Sequence, residues 1–354
     1  MTGRERMTRM LQRRAHDRVP RWDMFWPETL ARFRAEGLQG DPGDHFDFDC
    51  HSIAVLDHSP FPGREQVQAQ DAETRTLIDS WGATIRVHKH HSSVPEHHGR
   101  LCDSPEAWRR EVKPHLVRLE GRLDVQVVRA AWDRGQRAGR WCFVHGWDPW
   151  GNLCRLTGYE ILLVAMADDP QWVRDMSRTL ADQALGQVRI LLDAGIQPDG
   201  MFFAGDMGFS TGPVCSPGMY RDLIWPDQKR LAEFAHAHGM HYVYHTDGDV
   251  RTCLPLYIEA GMDALHPLEA KAGLDLRDLV PRYGDRLSFC GNMNVVELSS
   301  NDRDRVEQEV RAKLAAGMAR SGYAYHSDHS VPPDVSWDTY CFVMELLDRR
   351  GKYG

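Results

Sequence analysis

The sequence predicts a (β/α)₈ barrel, and three observations lead to this fold class. From residue 105 onward, short apolar segments alternate with longer amphipathic segments, the order expected for a parallel sheet with helical crossovers. The apolar segments along the whole chain suggest about eight strands, the number that closes such a barrel. No Gly-x-Gly-x-x-Gly follows a strand and no Gly-Lys-Ser/Thr loop is present, which argues against a nucleotide-binding sheet.

Each predicted strand is short and apolar, and polar residues follow it. The first begins near Pro20, at a position where a strand tolerates proline. The stretch from residue 241 is rich in β-branched and aromatic residues, which is typical of a strand buried on both faces. The predicted strands lie near 19–25, 51–57, 140–146, 200–206, 241–247, 263–268, 287–292 and 323–329.

The predicted helices separate these strands. The clearest helix start is Ser216-Pro217, because serine is a favoured cap and proline is favoured in the first turn. The predicted helices cover 3–16, 28–36, 105–113, 119–137, 158–166, 170–195, 216–238, 250–260, 275–282, 301–320 and 336–349.

Residues 73–90 do not follow this alternation of strands and helices. Apolar and polar residues alternate on both sides of Trp81-Gly82, which predicts a half-exposed antiparallel hairpin. No stretch of the chain indicates a linker between domains. We therefore expect residues 1–354 to form a single domain that carries this hairpin as an insertion.

Composition narrows the class of function. A net charge of -8 argues against a nucleic-acid-binding surface. No apolar run approaches the length of a membrane span, and the charged N-terminus is not followed by the apolar core of a signal peptide. The eight cysteines are scattered without a CxxC pair, which suits a reducing compartment. We expect a cytoplasmic protein that binds neither nucleic acid nor membrane.

The stretch from His241 to Asp249 is the centre of the candidate site. Residues two apart on a strand point to the same side, so His245 and Asp247 should project together from the carboxyl end of their strand. That end is where parallel α/β folds bind ligands. The alternative is a structural strand end in which an aspartate caps the next helix.

The other predicted strand ends also carry carboxylates, imidazoles and amides, whereas a solvated rim would favour Lys, Ser and Gly. In a barrel, all these ends meet at one mouth. Aromatic residues near the same ends, Trp147 above all, are expected to line a pocket for an apolar or aromatic substrate. Alternatively, these rings could pack under a loop. The expected catalytic residues are Asp57, Asp206, Glu269 and His329, and the expected substrate-binding residues are Asp23, Phe25, His145, Trp147, Phe209, Tyr244, Asn292 and Asn294.

His245, Asp247 and His329 form a set of two histidines and one carboxylate. Such a set suits Zn²⁺ and leaves a position open for water or substrate. A lone histidine in a barrel is more often a hydrogen-bonded structural residue, but two from different strands beside an aspartate favour a metal. Asp206 or Glu269 could replace Asp247 as a ligand.

The order of motifs in the second half of the chain is similar to that of a known family. The segments are 205–209 (GDMGF), 215–220 (CSPGMY), 225–226 (WP), 245–249 (HTDGD), 261–269 (GMDALHPLE), 291–294 (GNMN) and 327–334 (SDHSVPPD). Together they resemble the uroporphyrinogen decarboxylase superfamily, which includes cobalamin-dependent and coenzyme M methyltransferases. The resemblance covers about residues 140–350 and implies a (β/α)₈ barrel.

Departures from the family pattern bear on the reaction that the resemblance implies. The decarboxylases bind substrate carboxylates through an N-terminal Arg-rich segment. In this chain, residues 21–28 (RWDMFWPE) contain only one Arg and two acids, which suits a polycarboxylate poorly. The thiol methyltransferases hold zinc with His-x-Cys and a later Cys. His245 matches that histidine, while Asp247 and His329 stand in place of the cysteines, and a site without thiolate favours an oxygen substrate.

The resemblance therefore implies a Zn²⁺-assisted methyltransferase that moves a methyl group between a small methoxylated or methylated substrate and a corrinoid carried by a partner protein. Two alternatives stay open. One is a metal-independent decarboxylase of a porphyrinogen-like or other carboxylated substrate, using Asp57, Asp206 and His329. The other is a non-catalytic barrel that binds a tetrapyrrole or corrinoid. A homodimer is also left open.

Overall fold

A computed structural model of the protein describes residues 1–90 and 95–354. Its strands are β1 Cys50–Val55, β2 Gln66–Gln70, β3 Thr74–Ile78, β4 Ala83–His88, β5 Glu96–Arg100, β6 Trp141–Trp147, β7 Gly200–Ala204, β8 Gly208–Phe209, β9 Gly212–Pro213, β10 His241–His245, β11 Ala264–His266, β12 Ser288–Cys290 and β13 Tyr323–Ala324. A curled parallel sheet of seven strands runs in the order β1-β6-β7-β10-β11-β12-β13. This arrangement confirms the predicted α/β barrel class.

Helices connect the parallel strands and cover the outside of the sheet. They are α1 Gly3–Leu11, α2 Pro27–Glu36, α3 Pro42–His45, α4 Pro105–Ala107, α5 Lys113–Leu116, α6 Val125–Arg137, α7 Pro149–Asp168, α8 Pro170–Asp193, α9 Pro217–Leu223, α10 Trp225–Ala237, α11 Leu254–Ala260, α12 Leu276–Tyr283, α13 Val295–Ser299, α14 Arg303–Gly317 and α15 Trp337–Arg350, with a π-helical turn at Trp108–Val112 and a 3₁₀ turn at Ala270–Ala272. No helix within the described residues is both long and apolar enough to cross a membrane.

The helix predicted over 216–238 is two helices, α9 and α10. Pro226 has no N–H group to donate to the carbonyl of Asp222, four residues earlier. The Arg174 side chain donates to that carbonyl instead, at 3.2 Å. The chain therefore breaks between Leu223 and Trp225, although the apolar pattern continues across the break.

The predicted first strand, near 19–25, does not form a regular strand. Residues 20–26, here named the closing segment, take the place of an eighth strand through isolated bridges. On one side, Tyr325 N–H donates to Pro20 O at 2.8 Å, and Val331 N–H donates to Met24 O at 2.8 Å. On the other side, Asp49 N–H donates to Arg21 O at 2.8 Å. Pro20 lacks an N–H donor, which limits regular pairing along this segment.

Beyond Asp49, the closing segment and β1 separate and a cavity of about 450 Å³ lies between them. Aromatic rings of Trp22, Phe25 and Phe48 line this cavity, and Phe143 lines it from β6. The Trp22 ring also packs edge-on against Phe202 inside the barrel, with centroids 5.4 Å apart. The seam of the barrel is therefore an apolar groove that reaches the interior.

The predicted hairpin at 73–90 is confirmed and belongs to a larger insertion. Strands β3 and β4 pair antiparallel, and β2 and β5 extend them to a four-stranded sheet, the insertion sheet. Asp79 shapes the turn, because its Oδ1 accepts hydrogen bonds from the N–H groups of Trp81 and Ala83. Leu77, Ala83 and Ile85 form a small buried cluster of their own.

Asp49 ties the N-terminal residues to the bottom of the barrel. It is 2% exposed, and its carboxylate accepts hydrogen bonds from the guanidinium groups of Arg6 and Arg18 and from Arg21 N–H. Removing one partner of a buried ionic network leaves the remaining charges without compensation.

We therefore expect Asp49→Asn to lower the free energy of unfolding by about 3 kcal/mol. The matched control is Asp47→Asn, because Asp47 also binds Arg18, at 2.9 Å, but is 79% exposed. That change should cost less than about 1 kcal/mol. Urea denaturation followed by circular dichroism measures both. Similar losses in the two variants would contradict a special role for Asp49 at the seam.

Candidate metal centre

Three side chains meet at the mouth of the barrel. His245 ends β10, Asp247 follows it by two residues, and Asp206 follows the end of β7. His245 Nε2 lies 3.2 Å from Asp206 Oδ1 and 3.8 Å from Asp247 Oδ1. One ligand atom from each residue lies within 4.8 Å of the other two. This set, the candidate metal centre, is compact enough to bind one ion.

The loops that carry the two aspartates pack backbone against backbone. Gly208 N–H donates to Asp247 O at 3.1 Å. Gly248 has a φ of +81°, and a Cβ on it would lie 2.2 Å from the carbonyl carbon of Gly208. Asp206 itself has a φ of +46°, which is uncommon for a residue with a side chain. Close loop packing therefore holds both carboxylates in place.

The charges of the three groups depend on one another. Burial lowers the pKa of His245, but Asp206 and Asp247 outweigh this effect and the net pKa is raised above its usual value. Burial also acts to raise the pKa of Asp206, yet the adjacent His245 imidazole brings it below its usual value. Burial raises the pKa of Asp247, and His245 offsets this only in part. One imidazole is thus shared between two crowded carboxylates.

Two oxygens of this set are unsatisfied. Asp206 Oδ1 and Asp247 Oδ1 are buried and accept no hydrogen bond from any described residue. The 3.2 Å contact of Asp206 with His245 is close enough for an ion pair but lacks hydrogen-bond geometry. Buried polar atoms without partners are rare in folded proteins. The nitrogen and oxygen donors therefore fit a divalent cation, which would satisfy both carboxylates.

A second histidine holds His245 from inside the barrel. His266 ends β11, in register with His245, and the two Nδ1 atoms are 2.7 Å apart. Burial, together with His326 and His245, lowers the pKa of His266 far below its usual value, which favours a neutral His266 ring in this hydrogen bond. Metal-binding histidines generally have their other ring nitrogen engaged in this way. Sequence analysis did not single out His266, although its position at a strand end next to β10 was a usable signal.

His329, predicted as a third ligand, lies at the edge of this compact set. Its Nε2 is 3.9 Å from Asp247 Oδ2, and its ring stacks on Trp26 with centroids 6.1 Å apart. Asp206 lies closer to His245, because its loop is bonded to the Asp247 loop. Glu269 is also close, but its carboxylate accepts Gly248 N–H at 2.8 Å and pairs with Lys271.

Several predicted substrate-binding residues surround the mouth and the seam. Asp23, Phe25 and His145 line the cavity between the closing segment and β1. Burial raises the pKa of Asp23 to about 7, although Ser327 and the hydroxyl groups of two tyrosines bind its carboxylate. At the rim of the mouth, Phe209 is 55% exposed.

Four predicted residues are not brought to the candidate metal centre. Asp57 caps its own loop, since its Oδ1 accepts Ser59 N–H and the Ser59 hydroxyl. Tyr244 is buried against Tyr257 and the helices, because it precedes the inward-facing His245 on the strand. The Asn292 side-chain amide donates to Leu268 O and accepts from Leu276 N–H at the start of α12. Asn294 caps α13, because its side chain accepts Val296 N–H.

With this geometry established, comparison with known proteins identifies the family. The family model described as Uroporphyrinogen decarboxylase (URO-D) matches residues 142–350. The chain belongs to the uroporphyrinogen decarboxylase family. A sequence search of the curated proteins finds no match. Among solved structures, this family member is similar to a methyltransferase from Methanosarcina mazei, with a TM-score of 0.66, 14% identity and 99% coverage of both chains.

The family match confirms the resemblance that the motifs indicated. It includes the candidate metal centre, but it begins after the closing segment and the insertion sheet. The structural likeness, at 14% identity, extends over the whole barrel and supports the fold alone. The insertion sheet and most residues that line the seam cavity thus lie outside the family match, whereas Phe143 and His145 lie within it.

The contact between Gly208 and Gly248 gives a testable prediction. We expect Gly248→Ala to lower the free energy of unfolding by about 3 kcal/mol, because the added Cβ meets backbone that cannot move aside. The control is Gly239→Ala, since Gly239 has a φ of +70° but no atom within 4 Å of the added Cβ. It should lose only about 1 kcal/mol, the cost of a left-handed alanine. Equal losses on urea denaturation would show that the loops can separate without cost.

Proposed function

We propose that this family member is a metal-dependent methyltransferase that moves a methyl group between a small methoxylated substrate and a corrinoid held by a partner protein. The observation that carries the proposal is the set Asp206, His245 and Asp247, which lacks thiolate and leaves two carboxylate oxygens unsatisfied. The similarity in fold to a methyltransferase from Methanosarcina mazei is consistent with this reaction class.

Each residue at the centre has its own role in the proposed reaction. His245 Nε2 and the carboxylates of Asp206 and Asp247 would hold a Zn²⁺ ion, which supplies a Lewis acid for the oxygen that leaves the methyl group. His266 keeps the other nitrogen of His245 engaged and so fixes the direction of its lone pair. These donors are oxygen and imidazole nitrogen, which suits an ether or phenol substrate more than a thiol.

The seam cavity supports a small apolar or aromatic substrate. Its walls include the rings of Trp22, Phe25, Phe48 and Phe143, and His145 lines it from β6, the strand that ends at the mouth. Pockets of this kind bind small molecules through apolar contacts, with a few polar groups for orientation. In the proposed direction, the methyl–oxygen bond would break with its electron pair on the substrate oxygen, and a partner's reduced corrinoid would supply the electron pair for the new bond to the methyl carbon.

Metal content is the first test. Protein purified without chelator should contain about one zinc per chain by elemental analysis, and His245→Ala should lose it. The control is His236→Ala, because His236 also pairs with an aspartate, Asp263 at 2.9 Å, but lies outside the mouth. That variant should retain the metal. Full metal content in a variant lacking both His245 and Asp247 would refute the centre.

Methyl transfer is the second test, with cob(I)alamin as the acceptor and methoxylated phenols as donors. Formation of methylcobalamin, followed by absorbance, should require metal and should fall by about 100-fold or more in Asp206→Asn and Asp247→Asn. Chelation should abolish transfer and added zinc should restore it. Release of CO₂ from a carboxylated substrate by metal-free protein would instead favour the decarboxylase.

A further inference from the structure

Arg155 lies near the mouth of the barrel, between the candidate metal centre and the insertion sheet. It is carried by α7, directly after β6. Its guanidinium carbon is 3.8 Å from the ring centroid of Trp147 and 5.9 Å from that of Trp81. Trp147 is the last residue of β6, whereas Trp81 lies in the turn of the insertion hairpin. One arginine thus joins the two parts of the rim.

Within residues 1–90 and 95–354, the Arg155 guanidinium has no counter-ion and donates no hydrogen bond. No carboxylate oxygen lies within 4.0 Å of it, and Asp206 and Asp79 act on it only through space. By contrast, Lys271 pairs with Glu269 at 2.9 Å. The Arg155 side chain is exposed, so a ligand can reach it.

The surrounding chain fixes the position of this guanidinium. Arg155 O accepts a hydrogen bond from Arg100 Nη1 of the insertion sheet, at 2.5 Å. Arg100 also packs over Gly158, where α7 kinks with a φ of +76° and where a Cβ would lie 2.7 Å from Arg100 Nε. The flat contact with Trp147 further restricts the guanidinium plane, since arginine stacks on aromatic faces. The Arg100 bond thus restrains the backbone of Arg155, and the contact with Trp147 orients its guanidinium.

We propose that Arg155 binds a carboxylate of the substrate, so that the enzyme acts on methoxylated carboxylic acids. This inference rests on the proposed function and specifies its substrate class. A guanidinium offers a fork of N–H donors that matches a carboxylate, and the ligand would supply the counter-ion that the chain does not. Because Asp206 and Asp79 add negative charge nearby, a monoanionic carboxylate suits the site better than a dianionic phosphate.

The test compares two probes of the same shape, 4-methoxybenzoate and the neutral 4-methoxybenzamide. Their binding to the purified protein is measured by isothermal titration calorimetry, without corrinoid. Wild type should bind the benzoate at least about 10-fold more tightly than the benzamide. Arg155→Gln should weaken benzoate binding by about 10- to 100-fold and leave benzamide binding unchanged, so that the preference is lost.

Two further variants complete the design. Arg155→Lys keeps the charge without the fork and should retain part of the preference, with an unchanged melting temperature showing that the variants fold. The control is Arg129→Gln, because Arg129 also lies over a tryptophan, Trp132 at 5.7 Å, but at the opposite end of the barrel, where it bonds to Ala194 O. It should bind both probes as wild type does.

Equal affinity of wild type for the two probes, no benzoate binding at millimolar concentration, or undiminished benzoate binding by Arg155→Gln would overturn the assignment. The outcome is separate from that of the methyl-transfer assay. A carboxylate preference in a protein that transfers no methyl group would keep the Arg155 site and refute the proposed function. Methyl transfer from neutral donors, with Arg155→Gln fully active and no carboxylate preference, would support the proposed function and refute the Arg155 site.

Discussion

The mouth of the barrel depends on hydrogen bonds that join each strand-end loop to the next. The loop after β7 bonds to the loop after β10, and Glu269 accepts an N–H group from Gly248 in turn. Asp328 accepts the N–H groups of Ala270 and Val295, one with each carboxylate oxygen. Without these bonds, the strand ends would converge, but their side chains would not be held at ligand distances. The geometry of the candidate metal centre follows from this ring of loops.

The same bonds divide the acids of the mouth into two groups. Glu269 and Asp328 are occupied by backbone N–H groups and hold the loops together. Asp206 and Asp247 each keep an unsatisfied oxygen beside His245. Sequence position alone makes all four look equivalent, because each lies at or next to the end of a predicted strand. Their hydrogen bonds separate the structural acids from those available to a ligand.

Support for the centre also comes from inside the barrel, through the closing segment. Trp22 stacks on His266 with centroids 5.2 Å apart and meets His326 edge-on at 4.5 Å. His266 in turn holds His245. The closing segment therefore serves two purposes, since it lines the seam cavity and packs against the histidines behind the candidate metal centre. The insertion sheet adds a third element, because it places Trp81 and Arg100 around Arg155.

The sequence by itself determined the barrel class, most strand positions, the family motifs and the expectation that His245 and Asp247 face the same side. These properties depend on local periodicity and on residue order, both of which are visible along one chain. Only the tertiary structure placed Asp206 beside His245 with His329 at the edge of the set, His266 behind His245, and Arg155 near the mouth. Those relations are distances between side chains on different elements, and they arise from glycine contacts, loop hydrogen bonds and ring packing that bring distant residues together.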